Sequence, residues 1–152
     1  MGVDIGVCKN LIKVSDDFEN VDYDFLDETY DKWVVLIEDD KEITPYTKGV
    51  YTCECGENCT QFSYGGNCDF LDDLERIGDE TGNPFTVTLE SAGIENCISY
   101  PVAEKMLEEF EQNLDAAVKY FEKIDDFYVE RYNTYIKILK ECIECKGLVE
   151  YS

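Results

Sequence analysis

The sequence predicts an α+β fold: a mostly antiparallel sheet packed against helices, closing on a C-terminal antiparallel helix pair. Three observations carry this expectation. Short runs rich in β-branched and aromatic residues occur at 3–14, 33–37, 48–64 and 85–89. Two stretches with apolar residues at helical spacing, 101–123 and 126–145, fill most of the last third. The length of 152 residues suits one domain, 1–152, that would remove roughly 68–70% of its unfolded surface from water.

Taken in order, residues 3–14 (VDIGVCKNLIKV) alternate partially and break at Lys9-Asn10, which fits one strand or a short hairpin. In the acid-rich segment that follows, Ser15 or Asp16 is a candidate helix cap. Trp33 to Ile37 is a bulky run bounded by charge and reads as a buried strand. Residues 39–48 form a polar connection. A strand over 48–55 and its partner over 58–64 are expected to make a hairpin, with Gly56-Glu57-Asn58 supplying the turn.

Gly65-Gly66 breaks that second strand, and Asn67 is placed to cap a helix through about Ile77 with Phe70, Leu71 and Leu74 on its apolar face. Residues 78–84 end in the turn signal Thr81-Gly82-Asn83-Pro84. Phe85 to Leu89 alternates as a half-buried strand would, and 97–100 reads as another strand or a lead-in. Pro101 suits a helix start. Met106, Phe110, Leu114, Ala117 and Phe121 then mark one helical stripe. Asp125-Asp126 separates it from a second helix, which Gly147 is placed to end before a return strand over 148–151.

Charge is the unusual quantity, with 35 acidic residues against 13 basic ones, no histidine and a net charge of −22. Nucleic acid and anionic membranes are disfavoured as direct partners, because binding them depends on cations that neutralise phosphates. A basic protein is the natural partner. No apolar run approaches the roughly 20 residues that span a bilayer, and the N-terminus lacks a secretory pattern, so a cytoplasmic location is expected.

Eight cysteines are present, four of them spaced C-x-C-x3-C-x8-C at Cys53, Cys55, Cys59 and Cys68. Structural zinc needs four converging ligands, and its strong signature is two C-x2-C knuckles. This chain has one such pair, Cys142 and Cys145, on an expected helix. The main expectation is therefore no cofactor, with reduced cysteines acting as small buried apolar residues. The alternative is a zinc-stabilised interaction module held by Cys53, Cys55, Cys59 and Cys68. Without histidine the usual cysteine and serine nucleophile arrangements are missing, and no Gly-rich phosphate loop or EF-hand loop is present, so an enzyme is not expected.

The remaining candidate is the segment 16–31, where eight carboxylates fall in sixteen residues with no basic residue among them. Asp16, Asp17, Glu19, Asp22, Asp24, Asp27, Glu28 and Asp31 would supply charge, and Tyr23 and Tyr30 would anchor a partner's pockets. In size and charge the whole chain resembles the bacterial immunity proteins that neutralise polymorphic toxins, and it is similar in charge to phage anti-defence proteins that mimic DNA. That resemblance implies an acidic, non-enzymatic inhibitor that occludes the nucleic-acid-binding surface of a toxin or defence nuclease.

Overall fold

The computed structural model describes residues 2–37, 42–93 and 95–152. In chain order the elements are β1 (Gly2–Ser15), α1 (Tyr23–Thr29), β2 (Trp33–Leu36), β3 (Gly49–Ser63), α2 (Tyr64–Thr81), α3 (Thr86–Ser91), β4 (Asn96–Ser99), α4 (Tyr100–Gln112), α5 (Leu114–Glu122), α6 (Asp126–Cys145) and β5 (Leu148–Tyr151). The strands form one antiparallel sheet in the order β2-β3-β1-β5-β4. The fold is α+β, as expected from the sequence. Of the expected connection 39–48, residues 39–41 lie outside the described residues.

Both long strands are continuous: β1 is the single strand of the two alternatives its sequence allowed, and β3 runs through where a hairpin was expected. In β1 the Lys9-Asn10 break is a bulge, with Asn10 at φ 56° and the register shifting between Lys9 and Ile12. In β3 no hairpin forms at residues 56–58. Cys55 pairs with Cys8 and Cys59 with Gly6, so β3 carries two extra residues there and bulges without turning back. The bulge is held from outside by Glu141 of α6, whose carboxylate accepts hydrogen bonds from the Glu57 amide at 2.8 Å, the Asn58 amide at 2.9 Å and the Asn58 side chain at 3.0 Å. Gly56 is needed for this approach, since a Cβ there would lie 2.7 Å from both Val7 and Glu141.

One face of the sheet carries the main core. Val3, Ile5 and Val7 of β1 join Phe62, Val149 and Tyr151 against Phe70, Phe110, Phe121, Tyr132 and Tyr135 of the helices. The rings pack as a chain, with Phe110 and Tyr135 stacked at 4.7 Å and Phe70 and Phe121 at 5.6 Å. Buried hydroxyls are satisfied: Tyr132 donates to the Phe110 carbonyl at 2.6 Å, and Tyr135 hydrogen-bonds Tyr151. The C-terminal helices α5 and α6 pack together, and α4 packs on α6.

Three helical regions differ from the sequence reading. α2 starts at Tyr64 because the Ser63 hydroxyl accepts from the Gly66 amide at 3.0 Å, and Asn67 is buried inside the helix instead of capping it. The helix then continues past Ile77 to Thr81 and ends at left-handed Gly82. Residues 86–91 form α3, not a strand. Phe85 enters the core beside Phe110, and the Glu109 carboxylate accepts from the Val87 amide at 2.9 Å and the Thr88 amide at 2.8 Å, so a distant acid satisfies the first turn. The expected helix 101–123 is two helices broken at Asn113. That buried side chain donates to the carbonyls of Asn83 and Glu109 and accepts from Thr81, tying the break to the end of α2.

At the end of α6 the left-handed residue is Lys146. Gly147 serves a close approach, because a Cβ there would strike the Cys8 carbonyl oxygen. Among the described residues no helix is long and apolar enough to cross a membrane.

Candidate functional site

The acidic segment folds as a turn followed by the short helix α1, mounted on the edge of the sheet. Lys13 of β1 pairs with Asp16 at 2.6 Å. The Asp17 carboxylate closes the turn by accepting from the Asn20 side chain at 2.8 Å and the Glu19 amide at 2.9 Å. These hydrogen bonds, the Asn20 one foremost, hold its carboxyl below the usual range. Asp22 caps α1 by accepting from the Phe25 amide at 3.1 Å.

Seven residues of helix are too few to stand alone, so tertiary contacts decide. Leu26 is the buried residue of α1. Tyr23 packs on Trp33 of β2 with ring centroids 5.1 Å apart, and its hydroxyl donates to the Phe18 carbonyl. Asp27 accepts from the Trp33 indole N–H at 2.8 Å.

Apart from Tyr30, the candidate residues therefore fall into two groups. Asp16, Asp17, Asp22, Tyr23 and Asp27 build the element. Glu19, Asp24, Glu28 and Asp31 are exposed, and their carboxylates have no hydrogen-bond or ion-pair partner among the described residues. Asp24 and Glu28 are four apart on α1 and so share a face. Phe25 lies between them in sequence and is 55% exposed, more than either tyrosine that the sequence singled out. Tyr30 is half-buried and, with Asp31, Ile12 and Lys32, lines a groove of about 460 Å³ against β1 and β3. Ile12 in that groove is 65% exposed.

The cysteines Cys53, Cys55, Cys59 and Cys68 are not gathered. Cys53 is buried on the sheet face away from the main core, whereas Cys55 and Cys59 are exposed to either side of the β3 bulge and Cys68 is exposed on α2. Among the described residues no group of three or more cysteine, aspartate and glutamate side chains is placed to hold a metal ion.

A different set, which spacing did not reveal, does converge. Cys8 of β1, Cys53 of β3 and Cys97 of β4 meet in or against one apolar cluster with Leu148, Val34 and Leu36. Beside them Lys32 and Glu150 form an ion pair at 2.6 Å. Burial works against the charge on Lys32, but the hydrogen bond and charge of Glu150 outweigh it and hold its pKa above the ordinary lysine value. Burial pushes the Cys97 thiol up to about 12. The signal lay in strand parity: Leu148 and Glu150 alternate with Val149 and Tyr151, so β5 turns one carboxylate to the face where the cysteines gather.

Comparison with protein-family models, curated proteins and solved structures finds no match to this chain.

Proposed function

We propose that this protein is a non-enzymatic inhibitor of the immunity type, which binds a basic partner and covers its nucleic-acid-binding surface. The observation that carries this reading is that Asp24, Glu28 and Asp31 are exposed and partnerless among the described residues, with the exposed Phe25 between the first two in sequence. Carboxylates held on a fixed element stand in for a row of phosphates, and an aromatic ring among them supplies the apolar anchor that a binding interface needs at its centre. The net charge of −22 adds long-range steering toward a cationic surface and speeds encounter at low salt.

Partner and inhibitor meet in the cytoplasm in this reading, and the resemblance in size and charge to toxin immunity proteins and DNA mimics supports it. The experiment is capture of the partner from the native host with this chain as bait, followed by assay of the captured protein on nucleic acid. Inhibition by the wild-type chain, relieved in the variant Asp24→Asn/Glu28→Gln/Asp31→Asn, is the expected result. Capture of a partner whose nucleic-acid activity the wild-type chain leaves untouched would overturn the proposal.

A further inference from the structure

The sheet face away from the main core places thiols of three strands around one ion pair. Cys8 and Cys53 are 1% and 8% exposed within the same apolar cluster, on neighbouring strands β1 and β3. Cys8 Sγ lies 3.9 Å from Glu150 Oε1, the oxygen that Lys32 Nζ approaches at 2.6 Å. The Cys53 amide donates to the Lys32 carbonyl at 3.1 Å, which fixes the cysteine next to the lysine's own backbone. Access differs between the two thiols. Cys53 lines the groove of about 460 Å³ together with Lys32, and Cys8 is not among its lining residues.

We propose that Cys53 and Cys8 form a dithiol redox site that takes a small hydroperoxide, with Cys53 as the attacking thiolate and Cys8 as the resolving thiol. In the first step the Cys53 sulfur attacks a peroxide oxygen. The S–O bond forms as the O–O bond breaks, and the leaving hydroxide or alkoxide takes a proton, so that Cys53 becomes a sulfenic acid. In the second step Cys8 attacks the Cys53 sulfur. The S–S bond forms, the S–O bond breaks, and the departing hydroxide leaves as water with the Cys8 proton. The two thiols lose two electrons in total, and the peroxide gains them.

The surroundings divide the roles in the same sense. The hydrogen bond from Cys8, and then the charge of Lys32, hold the Cys53 thiol below its ordinary range in spite of burial. The same hydrogen bond, burial and the Glu150 carboxylate push the Cys8 thiol up. Of the other thiols, Cys97 of β4 packs against the same cluster. Cys55 stands opposite Cys8 in the ladder but is exposed and outside the shared apolar cluster, so it is the rival resolving partner.

The test treats the fully reduced protein with equimolar hydrogen peroxide and maps the products by peptide mass spectrometry. A Cys8–Cys53 bridge, formed with loss of two free thiols per chain, is expected. Cys8→Ser should leave a Cys53 sulfenic acid that dimedone traps. Lys32→Gln, which keeps every thiol, should slow bridge formation by about tenfold, through loss of thiolate at Cys53. A bridge from Cys8 to Cys55, a bridge confined to Cys142 and Cys145, or no intramolecular bridge would each overturn the proposal. So would an unchanged rate in Lys32→Gln.

Discussion

Tyr23 lies against Trp33 with ring centroids 5.1 Å apart, and this contact joins the acidic helix to the edge strand of the sheet. The pairing explains how a short helix with a single buried residue keeps its carboxylates in fixed places. Tyr23→Ala should cost about 1 kcal/mol for the lost ring pair, beyond the area it uncovers. Hydrogen exchange is the check: protection should fall in residues 23–29 while amides of α6 keep theirs. Equal loss in both would show that α1 is not mounted separately.

Glu109 is predicted to decide whether residues 86–91 are helical. Glu109→Ala strands the Val87 and Thr88 amides and the Thr88 hydroxyl, all of which now donate to that carboxylate. A loss of about 1–3 kcal/mol in urea unfolding is expected, with Glu109→Gln recovering part of it.

Asn113 makes the same kind of prediction at the α4–α5 break. It is 0% exposed and uses both ends of its amide, so Asn113→Leu leaves the Asn83 carbonyl without its partner and the Thr81 hydroxyl, as a donor, with only its longer bond to the Gly78 carbonyl. The expected cost is about 1–3 kcal/mol, read as a lower denaturation midpoint with unchanged slope.

Glu141 predicts a pH dependence. Burial opposes its charge, but the amides of Glu57 and Asn58 and the Asn58 side chain outweigh that and hold its carboxyl below the usual range. A depressed folded-state pKa stabilises the fold above the unfolded value, and the contribution is lost as pH falls through the folded one. Wild type should therefore be more stable than Glu141→Gln at neutral pH, with the difference shrinking on acidification below the ordinary glutamate pKa. A gap that stays constant down to that range would contradict the assignment.

What the sequence made legible follows from which contacts are local. Trp33 to Leu36 and Leu148 to Tyr151 read correctly as strands, and Asp125 is the cap of α6 at the expected boundary. The misread elements are those decided from far away. Gly56-Glu57-Asn58 has turn composition, yet Glu141, more than eighty positions later, turns it into a bulge in a straight strand. Phe85 to Leu89 alternates like a strand, yet Phe110 and Glu109 make the following turn helical.

The same holds for the candidate site. The acidic segment was visible as composition, but its division into carboxylates that build the element and carboxylates that face outward depends on Lys13, Asn20 and Trp33. The convergence of Cys8, Cys53 and Cys97 depends on strand order and parity, which spacing along the chain does not encode.

The central claim, that the exposed carboxylates Asp24, Glu28 and Asp31 bind a basic partner, is tested most directly by titrating the captured partner at several salt concentrations. Wild type should bind more weakly as salt rises. Asp24→Asn/Glu28→Gln/Asp31→Asn should bind about tenfold more weakly at low salt, roughly 1.4 kcal/mol, with a shallower salt dependence. Equal affinity and equal salt dependence for the two proteins would contradict the account.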